Sequence, residues 1–193
     1  MGTLEVRAMS IFPPIPAWDA IHPVLIHLPL GVLPLAGVIV LLAALTNAQW
    51  SRAFAVWALV LLLVGAVGAV LAVMSGEAAG ELVEGAVPQA EAAFERHEEL
   101  AELARTVFAG LAVVYVGVSL AGSLLLKRGR RAAASGAHLA FLVLLAPALV
   151  LLANAAHEGG RLVHEFGIRA PIAQYSGVED ALPAREVEEE HDD

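Results

Sequence analysis

Apolar residues run along this chain in four long blocks, covering roughly 23–46, 53–75, 104–126 and 135–157. Each is long enough to cross a hydrocarbon core of about 30 Å, which takes roughly 20 helical residues, so each predicts a transmembrane helix. The first opens at Pro23, where a missing N–H suits the first helical turn, and Pro34 is expected to kink it. The second contains "LLLVGAVGAVLAV", whose Gly65, Gly68, Ala69 and Ala72 allow a neighbouring helix to approach closely. Ahead of the third block, "AEAAFERHEELAELA" is amphipathic and free of helix breakers, so one long helix is expected from about residue 89 through the span, projecting beyond the membrane. The fold class is therefore all-α: a polytopic membrane protein, a four-transmembrane-helix up-down bundle with an extended outer helix before span three.

Composition agrees, with 59% hydrophobic residues, 16% charged residues and a mean hydropathy of +0.74. Three segments follow: an interfacial N-terminal stretch at 1–21, the transmembrane domain at 22–167 and an acidic tail at 168–193 that is expected to be disordered. Residues 1–20 lack a basic stretch followed by an apolar core, so the first span is expected to direct insertion. The chain has no cysteine, which excludes disulfides, thiolate metal sites and covalent haem attachment. It also lacks a zinc-protease helix, a nucleophile elbow, a phosphate-binding glycine loop and a basic groove for nucleic acid.

Charge adds an orientation. In up-down order, Arg52, Lys127, Arg128, Arg130 and Arg131 share one end of the bundle, and all 20 acidic residues belong to the other. Short basic loops mark the cytoplasm, so both termini are expected outside, facing the periplasm or cell exterior. The acidic outer face suggests a periplasmic cytochrome c or a respiratory-complex subunit as partner, beside the lipid bilayer itself.

The histidines sort the same way. His22, His27, His97, His157 and His164 come from four separated segments to the acidic end, whereas His138 enters span four from the basic end. Imidazole loses hydration in a bilayer, so a cluster of intramembrane histidines is a functional-site hypothesis by default. Small residues flank several of them, leaving room for a flat macrocycle or a bound metal. Asn154, Ser75, Glu77 and Glu158 are candidates to orient the rings through their second nitrogen. The leading expectation is a b-type haem with axial ligands drawn from His27, His97 and His157, His22 or His164 serving a second site, and Arg161 pairing with a propionate. The alternatives are a zinc or copper site of three or four imidazoles with Glu77 or Glu158, and a cofactor-free structural subunit whose histidines tie helix ends together. A stand-alone enzyme is the less expected outcome.

The motifs "AIHPVLIHLPLGVL" at 20–33 and "AHEGGRLVHEFG" at 156–167, with the histidine-bearing helix before span three, resemble a bacterial membrane family known as domain of unknown function 2231. His22, Pro23, His27 and Pro29 match its early H-P-x-x-x-H-x-P pattern, and His157, Gly159, Gly160, Leu162 and His164 match its closing one. Ala156, Val163 and Glu165 depart from that closing pattern. The resemblance implies a four-helix membrane domain over roughly 20–167. Some relatives are joined to cytochrome-c-like domains, which implies a redox setting but no settled activity.

Overall fold

The computed structural model describes residues 17–18, 20–80 and 86–168, and every element among them is helical. Most of the N-terminal segment and of the acidic tail lies outside the described residues. In chain order the elements are α1 (His22–Leu25), α2 (His27–Leu45), α3 (Ala48–Ala79), α4 (Pro88–Lys127) and α5 (Arg131–His164). α1 and α2 together make one span, and α3, α4 and α5 make the others, so four helices are long and apolar enough to cross a membrane. α4 runs 40 residues without a break, which is the long helix the breaker-free sequence predicts.

The interruption in the first span lies at Ile26 rather than at Pro34, which α2 carries in its interior. Pro29 explains the position: without an N–H it cannot bond the carbonyl of Leu25, four residues back, and α1 ends there. At the basic end, the Asn47 side chain accepts from the backbone N–H groups of Gln49 and Trp50 and starts α3. Ser51 then donates to the carbonyl of Ala43 at 2.7 Å, locking the α2–α3 corner. The α4–α5 corner turns on Gly129, whose φ of 71° is a left-handed conformation that a side chain disfavours. Arg131, just beyond it, donates to the carbonyls of Leu45 and Thr46 at 3.2 and 2.9 Å. That guanidinium ties the two basic-end corners together.

Each helix packs on its two neighbours around a square, α2 on α3 and α5, α4 on α3 and α5. The glycines of α3 set the α2–α3 spacing: a Cβ at Gly65 would overlap Leu33, and one at Gly68 would stand 2.9 Å from Leu28. The centre is filled by Leu33, Leu62, Phe108, Tyr115, Phe141 and Leu145, all buried. Above this layer, toward the acidic end, the packing opens.

Candidate functional site

The opening contains two histidines, one from the first span and one from α4. His22 stands in the first turn of α1, half-buried, with Nδ1 2.9 Å from the carbonyl oxygen of Ala72 on α3 and 3.2 Å from the Ser75 hydroxyl. Ser75 itself donates to the same carbonyl at 3.0 Å. His97, also half-buried, places Nδ1 2.8 Å from the carbonyl oxygen of Ala155 on α5. A carbonyl oxygen only accepts, so the neutral form of either ring carries its hydrogen on Nδ1 and its lone pair on Nε2. Metal-binding histidines are oriented in this way, by a backbone or carboxylate acceptor on the nitrogen that does not ligate. The two ring centres are 6.3 Å apart, with the planes at 84°.

Glycines seat both rings. A Cβ at Gly76 would come within 3.1 Å of the His22 ring, and one at Gly159 within 2.8 Å of the His97 ring. Below the pair lies a cavity of about 280 Å³, whose wall includes Pro29, Leu30, Ala69, Ala104, Leu152 and Ala155. A second cavity of about 120 Å³ opens on the α3–α4 side of the pair, where Glu77, Phe94 and Glu98 join its wall. Both histidines line both cavities. Past the end of α5, Gly167 adopts a φ of 70° and Ile168 donates its N–H to the carbonyl of Leu162, folding the chain back over the smaller cavity.

The other expected site residues are placed differently. His27 is exposed, and its Nδ1 is 2.6 Å from the carbonyl of Pro23, the helical acceptor one turn back. Five residues turn an α-helix by about 140° beyond a full revolution, so His22 and His27 cannot share a face. His157 is also exposed, because it lies two positions from both Ala155 and Gly159, about 200° around α5 from the wall they form. Of the residues from which axial ligands are expected, His27, His97 and His157, the structure brings only His97 beside another candidate, and that partner is His22. His164 is exposed at the rim of the larger cavity, while Asn154 faces outward.

Arg161 is committed to carboxylates rather than free for a propionate. Its Nη1 donates to Glu158 at 2.7 Å and its Nε to Glu165 at 3.0 Å, and Arg96 approaches the other oxygen of Glu158 at 3.5 Å. Among the described residues, no three His, Asp or Glu side chains come close enough to hold a metal ion. The expected alternative, a zinc or copper site of three or four imidazoles with Glu77 or Glu158, thus has no such assembled group among the described residues. Two further features escape sequence reasoning. The carbonyls that orient the rings leave no mark in a sequence. The buried pair of Tyr115 and His138, 3.3 Å between hydroxyl and Nδ1, joins residues 23 apart on α4 and α5.

A four-helix membrane bundle with paired imidazoles at its acidic end is the class these features define. The chain belongs to a family described as "Predicted membrane protein (DUF2231)", whose profile matches residues 18–171. No curated protein and no solved structure matches it.

Proposed function

We propose that this protein is a membrane electron-transfer protein that binds one b-type haem, with His22 and His97 as the axial ligands. The observation that carries the reading is the paired tautomer: each ring gives its Nδ1 hydrogen to a backbone carbonyl of another helix and keeps its lone pair on Nε2, and both rings line both cavities. The spacing supports it. With a metal–nitrogen bond of about 2 Å and a ring centre roughly 1 Å beyond the nitrogen, two imidazoles on opposite sides of one metal have centres about 6 Å apart; these stand 6.3 Å apart. The chemistry of the walls supports it too, since a macrocycle with an apolar body needs alkyl contacts, and Leu30, Ala69, Ala104 and Leu152 supply them. Two histidine ligands leave iron no open position, which favours electron transfer over oxygen chemistry.

In this reading the acidic end faces the bacterial exterior, and the basic corners face the cytoplasm. The exposed Glu91, Glu95, Glu99 and Glu102 of α4 then present negative charge to a basic carrier such as a cytochrome c. Absorption spectroscopy of the protein purified from haem-replete cells tests the proposal. A low-spin Soret band is expected, lost in His22→Ala and His97→Ala and retained in His27→Ala and His157→Ala. A folded wild-type protein that takes up no haem would overturn it.

A further inference from the structure

The two halves of the chain bury the same pattern of positions. Advancing 75 residues from buried positions of α2 reaches buried positions of α4: Pro29 leads to Ala104, Leu33 to Phe108, Ala36 to Leu111, Gly37 to Ala112, Val40 to Tyr115 and Ala44 to Ser119. Advancing 83 residues along α3 likewise reaches α5: Ser51 leads to Ala134, Ala55 to His138, Ala58 to Phe141, Leu62 to Leu145 and Ala69 to Leu152. Any two amphipathic helices can be slid into some such match. The independent observation is that the two shifts, set by the core alone, also relate the ring, its carbonyl acceptor and its glycine on the two sides; Ser75 breaks the match, because its counterpart is Glu158, which pairs with Arg161 and Arg96.

The 75-residue shift carries His22 onto His97. The 83-residue shift carries Ala72, whose carbonyl accepts from His22, onto Ala155, whose carbonyl accepts from His97. It carries Gly76, under the His22 ring, onto Gly159, under the His97 ring. The packing has the same symmetry, because exchanging α2 with α4 and α3 with α5 returns the same set of neighbours. A pseudo-twofold axis along the bundle therefore relates the two hairpins, and the imidazoles stand on either side of it, 6.3 Å apart.

We infer that Ala72–Gly76 and Ala155–Gly159 are two copies of one imidazole seat, and that they hold His22 and His97 as equivalent ligands of a single iron on the pseudo-twofold axis. The single-iron part rests on the haem reading above; the paired seats do not. Each seat acts through two elements one helical turn apart, a carbonyl that takes the Nδ1 hydrogen and a glycine that leaves room for the ring. Gly76 and Gly159 are thus positioning residues, and their substitution acts on the ring rather than on the metal. This geometry leaves no second haem for His164, which has no seat of this kind.

Nitrogen NMR of histidine-labelled protein in lipid nanodiscs, assigned with His22→Gln and His97→Gln, tests the inference. Before any haem is added, both rings are expected in the tautomer with hydrogen on Nδ1. Gly76→Ala should perturb the His22 signal and Gly159→Ala the His97 signal, each several-fold more than the partner ring. Gly37→Ala is the packing control: its added methyl meets Leu145 at 3.3 Å, far from the site, and both ring signals should stay in place. One ring in the opposite tautomer, or a glycine variant that leaves its own ring unchanged, would overturn the seats. On titration with haem, both ring signals should change together and saturate at one equivalent. Saturation at two equivalents, or a change in one ring only, would overturn the single shared iron. A protein with both tautomers as expected that binds no haem would sink the haem reading and the single-iron clause, and leave the paired seats standing.

Discussion

The hydroxyl of Tyr115 and Nδ1 of His138 share a hydrogen bond of 3.3 Å inside the membrane half nearer the basic end, with Phe141 packed on the tyrosine ring at 4.6 Å between centres. The pair has no polar counterpart in the first hairpin, where the equivalent positions are Val40 and Ala55. Removing one partner leaves the other buried without its bond, at a cost of about 1–3 kcal/mol. Tyr115→Phe should therefore lower the unfolding midpoint in detergent, whereas the double substitution Tyr115→Phe with His138→Leu should recover part of the loss. Additive losses in the double variant would show that the two side chains are not coupled. Haem binding should be indifferent to both changes, because the Leu33, Phe108 and Leu62 layer separates the pair from the cavity.

Arg131 offers a second test. Its guanidinium donates to the last carbonyls of α2, which have no helical partner, and so holds the first hairpin to the second. The site is exposed, so Arg131→Ala is expected to destabilise the bundle by only about 1 kcal/mol. Both bonds leave the same terminal Nη2, so Arg131→Lys should recover less than half of this, because the shorter lysine side chain does not carry its ammonium as far. Full recovery with lysine would mean that charge alone, not geometry, accounts for the contact.

Orientation is testable without reference to any cofactor. Ala132 and Glu95 are exposed at opposite ends of the bundle. With the basic corners in the cytoplasm, a cysteine at position 95 should react with an impermeant thiol reagent in intact cells, and one at position 132 should react only after lysis. The reverse pattern would invert the protein and remove the proposed exterior carrier.

Electron transfer to a basic carrier supplies the fourth prediction. The carboxylates on α4 stand in water, where attraction is screened within about 8 Å at physiological ionic strength. The association rate should fall steeply as salt rises, and charge reversal at Glu91, Glu95 and Glu99 should flatten that dependence. A rate insensitive to both would leave these residues as solubilising surface.

Much of the architecture is legible in the sequence, because a bilayer admits few solutions and long apolar runs declare them. The four spans, the long α4 and the close-packed glycines of α3 all follow from local pattern. The helix interruption was harder to place, since Pro34 and Pro29 both lack an N–H. At the site, sorting the histidines by bundle end includes His22, His97 and Ser75, which the structure places close together. Sequence reasoning favours His27 and His157 for their depth and their flanking small residues, but depth along a helix says nothing about direction around it. Phase would have separated them: His22 shares the face of Ile26, Pro29 and Leu33, and His27 does not. The carbonyls of Ala72 and Ala155 are invisible to such reasoning, because every residue carries one.

The layer of Leu33, Leu62, Phe108, Leu145 and Phe141 closes the bottom of the cavity with side chains that are almost wholly buried. The bundle is therefore a cup and not a pipe. Whatever reaches the imidazoles arrives from the acidic end or through the seams between helices, and leaves by the same route. Water and ions find no polar foothold in that layer, so the cavity is sealed toward the basic end.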